Sequence, residues 1–292
     1  MKNKILNFKS DIYIILVLFI IWKIILFATL WYAVKFVPLG HTDRFLGGGP
    51  ILYYSAPEFF SWANFDGEHY LSIAIFGYKS LEQAFFPTFP LLISIIAKPL
   101  SSDFVSLVVI STLVGLLISN ITFFVALLFL YKLLILDFSK KVVILTVVII
   151  LAFPTSFFFG ALYNESVFLL LSVLSFYFAR KRAWIFSGML GMLTSATRVF
   201  GFLLLPTLLF EVNIQKERFG KWFWILLIPF GLIFYMFYQY IHFGDPLAFY
   251  NLQTVVGEQH QRGITLLPQV YFRYIKMILT VDTNNPIYQT IL

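Results

Sequence analysis

The sequence predicts an all-α protein that crosses a membrane several times. Hydrophobic residues make up 60% of the 292 residues and charged residues only 12%, whereas a soluble domain carries about 25% charged residues. The mean hydropathy is +0.87. The first apolar run, residues 11–34, exceeds the roughly 20 residues that a helix needs to cross the hydrocarbon core. These observations favour a polytopic membrane protein.

The apolar segments that follow have uneven lengths. Segment 104–135 is either one tilted helix or two short helices separated at Ser119–Asn120. Prolines interrupt segment 85–98, and short or proline-containing segments predict broken helices, which are tolerated at membrane depth where they pack on protein or line a cavity. The apolar segments are 11–34, 85–98, 104–135, 142–160, 165–179, 183–210 and 222–243.

The charge distribution predicts which ends of the helices face the cytoplasm. Basic residues concentrate on the cytoplasmic side of membrane proteins, which places residues 35–84 and 244–292 in external loops. Residues 35–84 form a long first loop with interfacial helices. The stretch "APEFFSWANF" in this loop has the pattern of an amphipathic helix that lies at the membrane interface. We expect a single transmembrane domain over residues 1–292, with a chain that continues beyond its last residue. The basic clusters are Lys2, Lys4 and Lys9, residues 140–141, 180–182 and 215–221.

Composition also excludes several classes of function. The net charge is +7, but the basic residues are scattered between apolar runs, which argues against a nucleic-acid partner. There is no cysteine, so a disulfide, a thiolate metal site and a cysteine nucleophile are all excluded.

The stretch "NFDGEHYLSIAIFGY", residues 64–78, concentrates acid, base and aromatic residues in an apolar chain. Asp66 is either a solvated turn carboxylate or a general base at the membrane boundary, where partial desolvation raises its pKa. On a helix, Asp66 and His69 share a face and Glu68 faces elsewhere. His69 either orients the base, binds a phosphate or packs at the interface. A divalent metal on these three residues is possible, but their spacing matches no specific metal motif.

Two later positions carry charge next to apolar runs. Glu165, in "YNES", either caps the helix that follows together with Asn164 or pairs with a cation. Arg198, in "TSATRVFG", is costly in an apolar segment unless it is paired, and its natural partners are Glu165 or a phosphate. Tyr163 can donate a hydrogen bond to the same phosphate. The predicted topology places Arg198 at the bend of a helical hairpin.

The order and spacing of these stretches resemble the PIG-V mannosyltransferase family of the GT-C glycosyltransferase superfamily. The resemblance covers about residues 60–255 and includes four stretches. Asn64 and Phe65 stand where the family tends to have an arginine–tryptophan pair. The four stretches are "FDGEHYLSIAIFGY" with "AFFPTFPLL", "FPTSFFFGALYNESVFLLLSVLSFYFARKR", "SGMLGMLTSATRVFGFLLLP" and "FGDPLAFYNLQ".

The resemblance implies a GT-C-like helix bundle whose active site faces the external or lumenal side. It implies transfer of a sugar, with mannose favoured, from a polyprenyl- or dolichyl-phosphate monosaccharide to a glycan or glycolipid hydroxyl, with inversion. The membrane would be the plasma membrane of a prokaryote or the endoplasmic reticulum of a eukaryote. Asp66 takes the catalytic position. The donor- or acceptor-binding positions are Glu68, His69, Tyr70, Tyr163, Glu165, Arg198 and Asp245.

Two other classes of function fit parts of the pattern. Broken helices with buried charge also suit a transporter or a flippase of a lipid-linked substrate, although no repeated pair of interrupted segments is visible. A non-catalytic membrane scaffold is the third interpretation, and it predicts that Asp66 can be replaced without consequence.

The predicted sidedness can be tested by labelling, because the chain has no cysteine of its own. Single cysteines at Phe45 and Lys181 should react with a membrane-impermeant maleimide from opposite sides of the membrane, since the charge distribution places them on opposite faces. Labelling of both positions from one side would contradict this topology.

Overall fold

The computed structural model describes residues 8–36, 50–252 and 266–280, and every regular element in these ranges is helical. The helices are α1 Phe8–Phe36, α2 Pro50–Ser55, α3 Pro57–Phe60, α4 Asp66–Phe76, α5 Thr88–Ala97, α6 Phe104–Leu134, α7 Lys140–Ala152, α8 Glu165–Arg180, α9 Trp184–Ser195, α10 Leu204–Gln215, α11 Phe219–Trp222, α12 Ile228–Phe243, α13 Ala248–Asn251 and α14 Leu267–Thr280. Short 3₁₀ helices include Ser61–Ala63, Pro154–Phe159 and Val199–Leu203. The predicted all-α class is confirmed for these residues.

Three of the described helical stretches are long and apolar enough to cross a membrane: Asp11–Phe36, Phe104–Leu134 and Gly220–Phe243. Other apolar helices are shorter, such as Thr88–Leu100 and Trp184–Ser195. The structure therefore indicates a membrane protein with a mixture of full-length and short helices, as the uneven apolar segments predict.

Helix α6 is continuous through Ser119 and Asn120, so the alternative of two short helices is wrong. Polar side chains in a helix interior compete with the backbone, but here both residues also bond to another segment. Ser119 Oγ donates to the Tyr163 carbonyl at 3.2 Å, and Asn120 Nδ2 donates to the carbonyls of Leu116 and Gly160. These two residues thus attach α6 to the turn before α8.

The predicted hairpin at Arg198 forms between α9 and α10. Helix α9 ends at Ser195, and Arg198 has an extended backbone with φ −153° and ψ 147°. Pro206 lies in the first turn of α10, where a missing backbone N–H costs little. The interruption therefore comes from the residues around Arg198, and the proline lies within the first turn of the next helix.

Ion pairs join the helix ends that carry the basic clusters. Arg180 at the end of α8 contacts Asp137, after α6, at 2.7 Å and Glu211 of α10 at 3.3 Å. Lys140 at the start of α7 pairs with the buried Asp11 of α1. These ion pairs hold the described helix ends together, and the membrane face of their basic residues stays a prediction.

The chain divides into two compact units, Met1–Tyr250 and Asn251–Leu292. In the second unit, α14 carries Arg273 and Lys276 among exposed apolar residues. The single-domain interpretation stays a prediction. Residues 37–49 of the first predicted loop, and residues 253–265 and 281–292 of the second, lie outside the described residues.

Close packing of α9 on α12 requires glycine at position 231. A Cβ atom there would collide with the Met192 carbonyl and the Ser195 hydroxyl of α9. Ser195 Oγ in turn donates to the Ile228 carbonyl of α12. Small residues that let two helix backbones approach are typical of membrane helix interfaces.

We expect Gly231→Ala to destabilise the protein by about 1–3 kcal/mol, the usual cost of overpacking, because the backbones of α9 and α12 must separate. Unfolding of the purified protein in mixed detergent measures the effect. Gly220→Ala is the matched control, since no atom lies within 4 Å of a Cβ at that position. Equal stability of the two variants would contradict the close approach.

Candidate functional site

Asp66 is the first residue of α4, directly after a strained residue. Phe65 has a positive φ of 56°, which a bulky side chain adopts at a cost of about 1–3 kcal/mol, and its ring is 83% exposed. Gly67 packs on the neighbouring segment, since a Cβ there would lie 3.0 Å from the Leu162 carbonyl oxygen. The start of α4 is therefore held in one place by tight backbone packing.

The turn Gly160–Asn164 is hydrogen-bonded to residues 62–64, which come just before α4. Leu162 N donates to the Trp62 carbonyl at 2.8 Å, and Tyr163 Oη donates to the Asn64 carbonyl at 2.8 Å. These two hydrogen bonds connect residues about 100 positions apart and place Tyr163 beside Asp66. Burial raises the pKa of the Tyr163 phenol, and the charges of Asp66 and Glu165 add to the shift.

Glu165 and Arg198 form an ion pair, with Arg198 Nη2 3.1 Å from Glu165 Oε1. Asn164 occupies the N-cap position of α8 as predicted, but its side chain makes no capping hydrogen bond. It donates instead to the Thr197 carbonyl at 2.9 Å, which the break after α9 leaves without a helical partner. At the start of α8, Asn164 thus binds the backbone of the bend, and the adjacent Glu165 binds the Arg198 side chain.

Asp66 interacts electrostatically with Arg198 of this ion pair. Asp66 reaches solvent, yet the surrounding protein removes part of its hydration and raises the pKa of its carboxyl. The positive charges of His69 and Arg198 oppose this shift. A partly desolvated carboxylate beside His69 and Arg198 is positioned to accept a proton.

Aromatic rings form one wall of the site. His69 stacks on Phe85 with centroids 4.5 Å apart and an interplanar angle of 21°. Tyr70 is buried and packs edge-to-face on Phe85 and Phe89. The imidazole is therefore oriented by its neighbour on the segment before α5, and it shares the face of α4 that carries Asp66.

An apolar groove of about 420 Å³ lies between residues 61–65 and α1. It is called the α1 groove below. Its size is within the range of ligand sites in proteins. The groove is lined by Leu26, Thr29, Leu30, Ala33, Ser61, Trp62, Asn64, Phe65, Pro154, Phe157, Ala161 and Tyr163. Because Asn64, Phe65 and Tyr163 also surround Asp66, the groove borders the polar cluster.

Two buried acceptors in the cluster make no hydrogen bond to any described residue: Glu165 Oε2 and Asn164 Oδ1. Buried polar atoms normally have partners, and these two unpaired acceptors lie on adjacent residues beside the Glu165–Arg198 ion pair. The arrangement offers a carboxylate base, an arginine and two acceptors within one cluster.

Six of the predicted site residues belong to this cluster: Asp66, His69, Tyr70, Tyr163, Glu165 and Arg198. Glu68 lies on the first turn of α4, about 200° around the helix from Asp66. Asp245 lies after α12, where its Oδ1 accepts from Leu247 N at 2.8 Å. No group of three or more His, Asp and Glu residues is placed to hold a metal ion in the part of the chain that the structure describes.

The sequence pattern did not single out three residues that complete the cluster. Thr88 Oγ1 donates to the Ala196 carbonyl at 2.7 Å, at the hairpin bend. Phe85 orients His69, and Trp62 holds the turn before α8. Each contacts a residue that lies outside its own helix or turn, so no local sequence pattern indicates the contact.

Comparison of the chain with protein-family models, with curated proteins and with solved structures finds no match.

We expect Arg198→Ala to lower the free energy of unfolding by about 1–3 kcal/mol, because it leaves the half-buried Glu165 without its cation. The double variant Arg198→Ala/Glu165→Ala should recover part of that loss, and a double-mutant cycle in detergent measures the coupling. Lys221→Ala, which removes an exposed lysine 3.9 Å from Glu217, should have little effect, because Arg182 contacts the same carboxylate at 3.0 Å. A coupling energy near zero would show that the pair is not stabilising.

Proposed function

We propose that this protein is a membrane glycosyltransferase that transfers a sugar, with mannose favoured, from a polyprenyl- or dolichyl-phosphate monosaccharide to a glycan or glycolipid hydroxyl. The observation that supports this proposal is the position of Asp66. Its carboxyl interacts electrostatically with His69 and Arg198, and the residues just before it line the apolar α1 groove. A polar reaction centre bordered by an apolar groove suits a substrate that is half sugar and half lipid. The resemblance to PIG-V-like sequences points to the same chemistry.

The proposed reaction is a single displacement at the anomeric carbon. An acceptor hydroxyl oxygen forms the new bond to this carbon, while the bond from the carbon to the phosphate oxygen breaks on the opposite face. The bonding electrons leave with the phosphate, and the hydroxyl proton moves to the Asp66 carboxylate. Phosphate is a good leaving group that needs no acid, so one carboxylate suffices, in contrast to the paired acids of glycoside hydrolases.

The remaining groups of the cluster have complementary roles in the proposal. Arg198 is about a third exposed and uses one nitrogen for Glu165, so its other donors are available to the negative charge that develops on the leaving phosphate. Glu165 Oε2 and Asn164 Oδ1 accept hydrogen bonds from sugar hydroxyls. His69, held by Phe85, stands on the Asp66 side and orients the base.

The central test is Asp66→Asn, which keeps the shape of the side chain but cannot accept the proton. Sugar transfer from labelled polyprenyl-phosphate mannose by the purified protein should fall by roughly 10²–10⁴, with donor binding little changed. Glu68→Gln is the matched control on the same helix turn, and it should have a smaller effect because it faces elsewhere. Normal transfer by Asp66→Asn would reject Asp66 as the base, and a flippase would move the labelled lipid with no new product.

The raised pKa of Asp66 predicts the pH dependence. Transfer should increase as pH rises through the pKa of Asp66, because only the carboxylate accepts a proton. Since the folded state raises this pKa above its ordinary value, ionisation of Asp66 lowers stability as pH rises from the unfolded to the folded pKa. Asp66→Asn should therefore be at least as stable as the parent at neutral pH, and a lower melting temperature for this variant would contradict the shift.

A further inference from the structure

A second groove, of about 370 Å³, lies between α5 and α12, and no residue of the proposed reaction lines it. It is called the α5–α12 groove below, and its size is within the range of ligand sites in proteins. Leu91 and Phe234 line it and are exposed on the surface of the bundle, so a hydrocarbon chain can enter it from the surrounding membrane. Its walls include Pro90, Ser94 and Lys98 from the α5 side and Gly231, Tyr235 and Tyr238 from α12.

The groove begins at the hairpin bend, because α5 and α12 both run away from Ala196, which lines it. Thr88 at the start of α5 donates to the Ala196 carbonyl, and a Cβ on Gly231 of α12 would lie 2.8 Å from Ala196 N. At a rise of about 1.5 Å per residue, Lys98 lies about 15 Å along the helix from Thr88, and Tyr238 lies about 10 Å from Gly231. The groove therefore has an inner end at the bend and an outer end at Lys98.

Two tyrosines of the groove wall have hydroxyl groups that are already used within the protein. Tyr78 Oη donates to the Phe85 carbonyl at 2.8 Å, and Tyr235 Oη lies 2.8 Å from the carbonyl oxygens of both Gln83 and Phe85. These hydroxyls attach the segment before α5, while the rings add apolar surface to the groove.

Three other polar groups of the groove are Ser94 Oγ, Lys98 Nζ and Tyr238 Oη. Across residues 8–36, 50–252 and 266–280, none of the three makes a hydrogen bond or an ion pair. Ser94 lies one turn before Lys98 on the same helix face, about 9 Å from Thr88. The groove thus offers two hydroxyl donors about 10 Å from the bend and an ammonium group about 5 Å further out.

We propose that the α5–α12 groove binds one diacyl glycerophospholipid of the membrane, with its phosphate on Lys98 and one acyl chain directed toward Ala196. The acceptors of this lipid follow the same order as the donors of the groove. An ammonium group binds the anionic phosphate, the ester carbonyls lie a step inward beside Ser94 and Tyr238, and the hydrocarbon chain occupies the apolar inner end.

Other amphiphiles match the groove less completely. A polyprenyl phosphate has no ester carbonyls for the two hydroxyl groups, and a diacylglycerol has no anion for Lys98. The phosphate end of the bound lipid lies about 15 Å from the bend that carries Arg198, so this lipid is a structural component and not a substrate of the proposed sugar transfer.

Binding of phosphatidylglycerol to the delipidated 292-residue protein in detergent, measured by native mass spectrometry, tests the site. One molecule should bind more tightly than any further lipid. Lys98→Gln should weaken this binding about tenfold, the value of a charge-assisted hydrogen bond, and Lys98→Arg should retain most of it. Lys79→Gln is the matched control, because Lys79 is exposed over Phe76 outside the groove, and it should change binding less than about twofold.

Two further measurements test the hydroxyl groups and the groove itself. The ether-linked analogue of the lipid lacks the ester carbonyls, so it should bind the parent protein roughly fivefold more weakly, and Ser94→Ala/Tyr238→Phe should abolish this preference. Ser94→Phe fills the groove without altering the charge and should weaken binding of both lipids. Melting temperatures establish that the variants are folded.

Several outcomes would overturn the proposal. Unchanged binding by Lys98→Gln, or an equal loss in Lys79→Gln, would remove Lys98 as a specific phosphate ligand. Equal binding of the ether-linked analogue to the parent protein would remove the ester contacts, and unchanged binding by folded Ser94→Phe would remove the groove. Tighter binding of a polyprenyl phosphate than of phosphatidylglycerol at this site would replace the diacyl lipid with a single-chain lipid.

Discussion

The ion pair between Glu165 and Arg198 is the constraint on which the polar end of the molecule depends. An arginine in an apolar helix needs an anion, and α9 ends at Ser195, so that the extended backbone of Arg198 carries its guanidinium to the start of α8. The break exposes backbone carbonyls that need donors. Thr88 and Asn164 supply them, so charge pairing and backbone hydrogen bonding favour the same arrangement.

This arrangement determines where Asp66 lies. Once the start of α8 is attached to the hairpin bend, the turn before it presents Leu162 and Tyr163 to the segment that precedes α4. Gly67 then packs on the Leu162 carbonyl. The position of the carboxylate follows from a series of backbone contacts between segments far apart in the chain, and none of these contacts involves Asp66's own side chain.

The two ends of the bundle use charge differently. At the end that carries the basic clusters, ion pairs such as Arg180–Asp137 connect helix ends and use up both partners. At the other end, Glu165 and Asn164 retain unpaired acceptors, and the α1 groove lies beside them. A buried polar group without a partner reduces stability. Unpaired buried polar atoms also occur beside the basic clusters, on Trp184 and Gln215. The candidate site therefore differs in having two such acceptors on adjacent residues next to an ion pair.

The sequence by itself determined the helical class and most helix positions, because hydrophobic runs and helix ends are local properties. Segment 165–179 predicted α8, and the charge distribution predicted the bend at Arg198. An arginine in an apolar segment predicted an anionic partner, either Glu165 or a phosphate, and the structure pairs it with Glu165. Only the tertiary structure decided that α6 passes unbroken through Ser119–Asn120 and that Asn164 bonds across to Thr197. Those outcomes depend on which carbonyl lies opposite each polar side chain, and that partner is set by packing between segments distant in the chain.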